Sequence, residues 1–337
     1  MSELITLNDI RAAQQRIAGI TALTGLYRVD PARLQKAGQP PPPFDLYIKA
    51  ESEQPIGSFK LRGAYNMVAQ LNPEILARGV ITYSSGNHAQ GVAYAARALG
   101  AKAVIVMPDN TPAVKKTATA ALGAEIVLVG PASSERRKKA EELASQFGYT
   151  IIPPYDHPHI IAGQATCGLE IVTQLPDVDF VLSPVSGGGL LSGISTAVKL
   201  AAESGLAKPT VQVWGAEPEV GADAKESFDT KHLVEWPAAK TTRTIADGLR
   251  TQSLGILNFA HLSAYLDGMV TVTEAEIRQA MRILLFGTRL LPEPSGAVAA
   301  AALLFHRSEL PPFRKAVAVM SGGNVEPDVL RSVVAES

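Results

Sequence analysis

Several features that mark other classes of protein are scarce in this chain. One cysteine, Cys167, occurs among 337 residues, so no intramolecular disulfide can form, which fits a reducing compartment. No apolar stretch approaches the ~20 residues of a membrane-spanning helix. The polar start Met1-Ser2-Glu3 lacks the basic and apolar regions of a secretory signal. We therefore expect a cytoplasmic protein in which Cys167 is a small buried residue.

Net charge is also nearly absent, because 31 basic and 32 acidic residues sum to -1. These charges are dispersed along the chain, so a nucleic acid or a membrane surface held by bulk electrostatics is not expected as a partner. With 46% hydrophobic and 19% charged residues, the composition is that of a globular protein of one large or two smaller domains. A small molecule is the expected substrate.

Short runs rich in Val and Ile alternate with segments of helical period, which predicts an α/β fold with mostly parallel strands. Strands are predicted at residues 80–83, 103–107, 125–129, 180–182, 211–214 and 316–320. Helices are predicted near residues 89–99 and 112–122 and at 133–147, the last as a surface helix over one sheet face. The capping box at residues 6–9 predicts an N-terminal helix, and the proline run 39–43 predicts an exposed linker.

Lys60 lies in the run Pro55-Ile56-Gly57-Ser58-Phe59-Lys60-Leu61-Arg62-Gly63-Ala64, among apolar residues and close to Arg62. A lysine attacks an aldehyde well only when desolvation or a nearby cation favours its neutral form. Taken alone, the run favours a solvated lysine before a helix, and only the presence of the other runs reverses this preference.

Three further runs each follow a predicted strand and contain small polar or glycine residues: Ser84-Ser85-Gly86-Asn87-His88-Ala89-Gln90, Ser186-Gly187-Gly188-Gly189-Leu190-Leu191 and Ser321-Gly322-Gly323-Asn324. Ligands collect at such carboxyl ends of parallel strands. Glycines before a helix let backbone amides approach an anion, so the second run predicts a phosphate site. A tight turn is the alternative for that run, and a helix cap is the alternative for Ser85.

The four runs, in this order, resemble those of the fold-type II pyridoxal-phosphate enzymes, and most closely the threonine dehydratase and serine racemase family. The resemblance extends from about Asp45 to the C-terminus. It implies the tryptophan synthase β-like fold, with two open twisted sheets flanked by helices. It also implies a small domain, residues 54–150, inserted in a large domain, residues 1–53 and 151–337, and a homodimer. Thr24-Gly25-Leu26 departs from the family's threonine-proline-leucine segment.

The resemblance assigns a role to each matching residue. Lys60 would hold pyridoxal 5′-phosphate and act in catalysis with Ser85, which handles a proton on the opposite face. Ser321 would meet the pyridine nitrogen without a charged pair, which disfavours transamination and suits loss of a β-substituent. The implied cofactor-binding residues are Phe59, Lys60, Asn87, Ser186, Gly187, Gly188, Gly189, Leu190, Glu293 and Ser321. The implied substrate-binding residues are Ser84, Ser85, Asn87, His88, Arg136 and Tyr155.

The loop from Glu217 to Asp223 resembles the family's cation site. The implied ligands are Glu217, Asp223 and the carbonyl of Gly221, and Mg²⁺ or Ca²⁺ is expected ahead of K⁺ because hard cations prefer oxygen. Two acidic residues in a loop are, however, often merely solvated.

The expected activity is a dehydratase, or ammonia-lyase, that converts L-threonine or L-serine to a 2-oxo acid and ammonia. Two enzyme alternatives stay open from sequence: a serine or aspartate racemase, in which Ser85 returns a proton after Lys60 removes one, and a 3-hydroxyaspartate dehydratase. A binding protein that keeps the fold without the cofactor is the alternative from another class, and the intact Lys60, Asn87 and Ser321 disfavour it.

Overall fold

The computed structural model describes residues 4–84, 86–111, 113–130 and 133–335. Within these ranges ten strands form two sheets. In chain order the strands are β1 (Leu26–Arg28), β2 (Asp45–Ala50), β3 (Val80–Thr82), β4 (Ala103–Pro108), β5 (Glu125–Val129), β6 (Thr150–Ile151), β7 (Phe180–Pro184), β8 (Gln212–Pro218), β9 (Gly268–Val272) and β10 (Lys315–Met320).

Helices surround both sheets. The α-helices are α1 (Leu7–Ile17), α2 (Pro31–Lys36), α3 (Lys60–Val68), α4 (Pro73–Arg78), α5 (Asn87–Ala98), α6 (Ala113–Ala121), α7 (Ser133–Phe147), α8 (Pro158–Gln174), α9 (Gly189–Glu203), α10 (Asp223–Thr230), α11 (Ala238–Thr241), α12 (Ile256–Tyr265), α13 (Glu274–Ile283), α14 (Pro294–Phe305) and α15 (Pro327–Ala335). Short 3₁₀ helices span Glu51–Glu53, Glu219–Gly221, Asp247–Leu249 and Arg307–Glu309, and a π-helical turn spans Leu284–Thr288. None of the helices in the described ranges is long and apolar enough to cross a bilayer.

The larger sheet has the strand order β1-β2-β10-β7-β8-β9 and is parallel except for β1 at its edge. Successive side chains of a strand point to opposite faces, and both faces of this sheet are covered. In β10, Val317 and Val319 join the core under α8 and α9, while Ala316 and Ala318 join the core under α13 and α14. The strand β10 is therefore continuously apolar from Ala316 to Met320.

The smaller sheet has the order β5-β4-β3-β6 and is parallel throughout the described residues. In β4, Val104 and Val106 face α7, whereas Ile105 and Met107 face the core that α3 and α5 cover. Ala140 of α7 is fully buried in this layer, so the predicted surface helix over one sheet face is confirmed.

Most of the strongly patterned segments were predicted correctly. The six predicted strands, the helices at residues 89–99 and 133–147 and the N-terminal capping box are confirmed within a few residues at each end. Pro112, the predicted start of another helix, lies outside the described residues, and the rest of that helix is α6. The proline run lies in a mostly exposed loop before β2. The bounds of the two domains stay a prediction.

Candidate active site

A cavity of about 960 Å³ opens where the carboxyl ends of strands from both sheets face each other. The runs identified in the sequence meet there, although Lys60 of the first run and Ser321 of the last are 261 residues apart in the sequence. Its lining contains predicted residues from all four runs and from three other places: Phe59, Lys60, Ser84, Asn87, His88, Arg136, Tyr155, Ser186, Gly187, Gly188, Gly189, Leu190, Glu293 and Ser321. Ser85 lies outside the described residues. Ligand sites of parallel α/β folds occupy this position in general.

Lys60 is the first residue of α3, and its Nζ donates a hydrogen bond to the carbonyl oxygen of Pro154 at 2.8 Å. The side chain as a whole is partly accessible from the cavity, but its amine is surrounded by protein atoms. This burial lowers the pKa of Lys60 to about 8, against a weaker opposing effect of the Glu293 carboxylate. The amine therefore loses its proton more easily than that of an exposed lysine.

The glycine run forms the turn from β7 into α9. Gly188, at the N-terminal cap of α9, has φ of +99°, and a Cβ at Gly187 would lie 2.5 Å from the Tyr155 ring. Glycine is therefore required by conformation at one position and by space at the other. No side chain caps α9, so its first backbone amides remain available to an anion in the cavity.

Asn87 begins α5 and connects its own run to Glu293 and to the last run. Its Nδ2 donates to Glu293 Oε1 at 2.7 Å, and its Oδ1 accepts from Asn324 Nδ2 at 2.7 Å. Burial raises the pKa of Glu293 to about 8, with a further contribution from Asp247. Glu293 is therefore mostly a neutral carboxyl group near pH 7.

His88 follows Asn87 and is buried, with its Nε2 3.0 Å from the carbonyl oxygen of Ile152. Burial, together with the positive charge of Lys60, lowers the pKa of His88 to about 3. The imidazole is thus neutral and Nε2 carries the proton that it donates to Ile152. Ser84, just before this helix, accepts a weak hydrogen bond from the backbone amide of Gly86 at 3.4 Å.

Ser321 directly follows β10 and is buried at the cavity wall. Its carbonyl oxygen accepts a hydrogen bond from the Phe59 amide at 3.1 Å, and the Gly323 amide donates to Gly57 at 2.9 Å. The last glycine run therefore pairs with the run that contains Lys60. This pairing fixes the first turn of α3 relative to β10.

Tyr155 and Arg136 approach the cavity from the other side. The Tyr155 ring packs on the glycine run, and burial raises its pKa to about 12. Arg136 and Arg137 lie on α7, the first half-buried and the second exposed. Two guanidinium groups, those of Arg136 and Arg137, therefore belong to the cavity lining that contains the predicted substrate-binding residues.

The predicted cation ligands lie at the end of β8, which contains Glu217, and just after it, outside the lining of the cavity. Glu217 and Asp223 are both buried, and Glu217 accepts hydrogen bonds from the amides of Ala224 and Lys225 at 3.3 and 2.9 Å. Burial raises the pKa of both carboxyl groups, and their mutual repulsion raises that of Glu217 further. No group of three or more His, Cys, Asp or Glu side chains suited to a metal occurs in the described part of the chain.

Sequence reasoning missed two sets of residues at the site. Asn324 belongs to the last run but was assigned no role, although it links Asn87 to the Ile56 carbonyl oxygen. The second set is an ion cluster beneath α3, which we call the buried ion cluster: Lys49, Glu51, Arg62 and Glu170. The only local signal for it was Arg62 within an apolar run.

The chain belongs to the family of pyridoxal-phosphate dependent enzymes, whose model matches residues 26–322. This confirms the predicted family, fold class and cofactor. The site fits that cofactor, because one wall supplies a lysine amine of lowered pKa and another supplies the uncapped N-terminus of α9.

Three relatives illustrate the range of this similarity. The chain is 40% identical to L-threo-3-hydroxyaspartate ammonia-lyase of Saccharomyces cerevisiae over 83% of each chain. It is 34% identical to serine racemase of Schizosaccharomyces pombe over 96% of this chain and 95% of that protein. The solved structure of the T.th. threonine deaminase has a TM-score of 0.86 and 41% identity, over 96% of this chain and 99% of that one.

Proposed function

We propose that this chain is a pyridoxal-phosphate-dependent ammonia-lyase that converts L-threonine or L-serine to a 2-oxo acid and ammonia. The observation that carries the proposal is that Lys60, Asn87, the glycine run and Ser321 line one cavity. Relatives that include a threonine deaminase and a hydroxyamino-acid ammonia-lyase agree with this class of reaction.

Each part of the cavity has one task in this proposal. Gly187, Gly188 and Gly189 bind the cofactor phosphate through backbone amides at the N-terminus of α9, where the helix dipole favours an anion. Ser84 and the first turn of α5 bind the substrate carboxylate in the same way. When bound, pyridoxal phosphate supplies an electron sink for the charge that develops at the substrate Cα.

Lys60 moves the proton. Its Nζ accepts the proton from Cα and passes a proton on to the Cβ hydroxyl. The Cα–H and Cβ–O bonds break, water leaves, and a Cα=Cβ double bond forms. The resulting enamine takes up water and releases ammonia, which gives 2-oxobutanoate from threonine or pyruvate from serine. Asn87 and the neutral Glu293 present a hydrogen-bonded pair of side chains at the cavity wall without adding a full negative charge there.

The test is an incubation of the purified protein with pyridoxal phosphate, Mg²⁺ and, separately, L-threonine, L-serine, D-serine and L-threo-3-hydroxyaspartate. Oxo acid and enantiomer composition are measured together, with Lys60→Ala as the control. Oxo acid from threonine or serine without inversion is the expected result. Inverted amino acid that appears faster than oxo acid would make the protein a racemase and overturn the proposal.

A specific observation favours L-threo-3-hydroxyaspartate as a second candidate substrate. Arg136 and Arg137 both line the cavity, and a guanidinium group binds carboxylates bidentately. Arg136→Met should raise KM for 3-hydroxyaspartate about tenfold and leave KM for threonine within about twofold. Equal changes for the two substrates would remove this candidate.

We further infer that Glu217, Asp223 and the Gly221 carbonyl hold a hard cation, Mg²⁺ or Ca²⁺ ahead of K⁺. Asp223 Oδ2 is buried and has no hydrogen-bond partner among the described residues, and a buried carboxylate is costly unless a cation or a donor accompanies it. Chelation should lower activity and added Mg²⁺ should restore it. Activity indifferent to the chelator would contradict the inference.

The predicted homodimer and cytoplasmic location complete the proposal. Light scattering on the purified protein at several concentrations should give about twice the chain mass of 35.6 kDa. A single-chain mass at every concentration would contradict the dimer.

A further inference from the structure

Two consecutive residues, Pro154 and Tyr155, touch both predicted attachment points of the cofactor. The Pro154 carbonyl oxygen accepts the hydrogen bond from Lys60 Nζ at 2.8 Å. Tyr155 packs on the glycine run so closely that a Cβ at Gly189 would lie 3.0 Å from Tyr155 Cβ. The position of this short segment therefore affects both the Lys60 amine and the glycine run.

Asp156, the next residue, anchors the segment to a distant helix. Its carboxylate accepts hydrogen bonds from the amides of Ile256 at 3.1 Å and Leu257 at 2.9 Å, the first residues of α12. The local cap residue, Gly255, provides no side-chain hydrogen bond, so Asp156 satisfies amides that the helix itself leaves open. An acidic group also interacts favourably with a helix N-terminus.

Helix α12 and the residue before it also contact the glycine run. The Gly255 amide donates to the Gly187 carbonyl oxygen at 3.0 Å. Asn258 is fully buried, its Nδ2 donates to Asp156 Oδ1 at 3.3 Å, and a Cβ at Gly188 would lie 2.7 Å from Asn258 Cβ. A continuous series of contacts therefore connects the Lys60 amine, through the segment of Pro154 to Asp156 and through α12, to the glycine run.

We propose that Asp156 is a positioning residue that holds the Lys60 amine and the glycine run in the relative placement that pyridoxal phosphate requires. A ligand held at both ends binds best when its two sites are placed before it arrives, because no binding energy is then lost in ordering them. The proposal depends on the cofactor alone and not on the substrate of the proposed function.

The test compares pyridoxal phosphate binding to the cofactor-free forms of the wild type, Asp156→Ala, Asp156→Asn and Asp30→Ala. Asp30 is a matched control because its carboxylate caps α2, accepting from the Ala32 amide at 2.9 Å, away from the cavity. The dissociation constant is measured by absorbance titration, and Tm is measured on the same samples.

Asp156→Ala should weaken pyridoxal phosphate binding about tenfold, the equivalent of about 1.4 kcal/mol. Asp30→Ala should lower Tm comparably and change the dissociation constant less than about twofold. Asp156→Asn keeps the acceptor Oδ1 and loses Oδ2, so its binding should be about threefold weaker than that of the wild type.

Wild-type affinity in Asp156→Ala together with a lowered Tm would overturn the proposal and leave Asp156 as a helix cap only. If Asp156→Ala does not fold, Asp156→Asn decides, and wild-type affinity in that variant overturns the proposal. The titration contains no substrate. A wild-type protein that binds pyridoxal phosphate but does not release oxo acid would therefore contradict the proposed function and leave this test valid.

Discussion

Lys60 and Arg62 lie two residues apart on α3, yet they belong to two buried polar regions of opposite character. Arg62 lies in the buried ion cluster, where its guanidinium donates to both Glu51 and Glu170 at 2.6 to 2.8 Å. Lys49 donates to Glu170 as well, so two cations face two carboxylates. Burial alone would raise the pKa of Glu51, but Arg62 outweighs it and lowers that pKa to about 2.

In the cavity, by contrast, burial shifts Lys60, His88 and Glu293 toward their neutral forms. The pKa values of Lys60 and Glu293 are both about 8, and that of His88 is about 3. In the buried ion cluster each side chain stays charged because it is paired with a side chain of opposite charge. In the cavity, Lys60, Glu293 and His88 instead contact uncharged carbonyl and amide groups. Groups poised to exchange protons are typical of sites that carry out chemistry. The comparison indicates that a structural anchor and a reactive amine lie within the same first turn of α3.

The sharpest way to break this comparison is to give position 60 the side chain found at position 62. Lys60→Arg and Lys60→Ala should each lower kcat by about 10³-fold or more, because a guanidinium stays protonated and an alanine has no base. Steady-state oxo-acid production with saturating pyridoxal phosphate measures the loss. Lys36→Ala, on exposed α2, is the control. Activity of Lys60→Arg close to that of the wild type would contradict the assignment.

Removing Arg62, one of the two cations of the buried ion cluster, should affect stability more than any other property. Arg62→Met leaves Glu51 and Glu170 without their shared donor, and breaking such a buried pair costs about 3–5 kcal/mol. Urea unfolding of the cofactor-free protein measures the loss. Arg331→Met, which removes an exposed pair with Asp328, should leave the midpoint nearly unchanged. Equal midpoints for the two variants would show that the ion cluster is not an anchor.

The raised pKa of Glu293 should appear in the pH dependence of stability. Between pH ~4.3 and pH 8 the folded chain holds a proton on Glu293 that the unfolded chain releases. The stabilisation of the folded state by this proton is therefore complete below pH ~4.3 and is lost as the pH rises toward 8. Glu293→Gln should therefore flatten the decline of unfolding free energy between pH 5 and 8, by up to about 1.4 kcal/mol per unit. Urea unfolding across this range checks it, with exposed Glu74→Gln as the control. Parallel curves for wild type and Glu293→Gln would refute the assignment.

The smallest effect is expected at Ser186, the first residue of the glycine run. Its Oγ lies 2.7 Å from Thr251 Oγ1, so the hydroxyl is already paired within the protein. Ser186→Gly should change the dissociation constant of pyridoxal phosphate by no more than about threefold. Absorbance titration measures it, and a loss of tenfold or more would give the hydroxyl a direct role in holding the phosphate.

The sequence predicted those parts of the site that depend on local pattern. The glycine run and Ser321 each follow a predicted strand, so periodicity placed them at the carboxyl ends of strands. Lys60 was assigned to the same site by the resemblance of the four runs to the family. The contacts that hold them do not follow from periodicity, since Arg62 meets Glu170 across 108 residues and Asp156 meets Ile256 across 100. These contacts depend on how α8 and α12 pack against the rest of the protein, and local sequence patterns do not predict that packing.

The central claim is that Lys60 is the amine that holds the cofactor. Its amine is buried without an ion pair to a carboxylate of the described residues, so its pKa is lowered and it loses its proton easily. We would incubate the cofactor-free protein with pyridoxal phosphate across a pH series, reduce with borohydride and locate the label by peptide mass spectrometry. Label on Lys60, with an initial labelling rate that reaches half its maximum near pH 8, is the predicted result. Label on another lysine, or a half-maximum near the ordinary lysine value of ~10.4, would contradict the account.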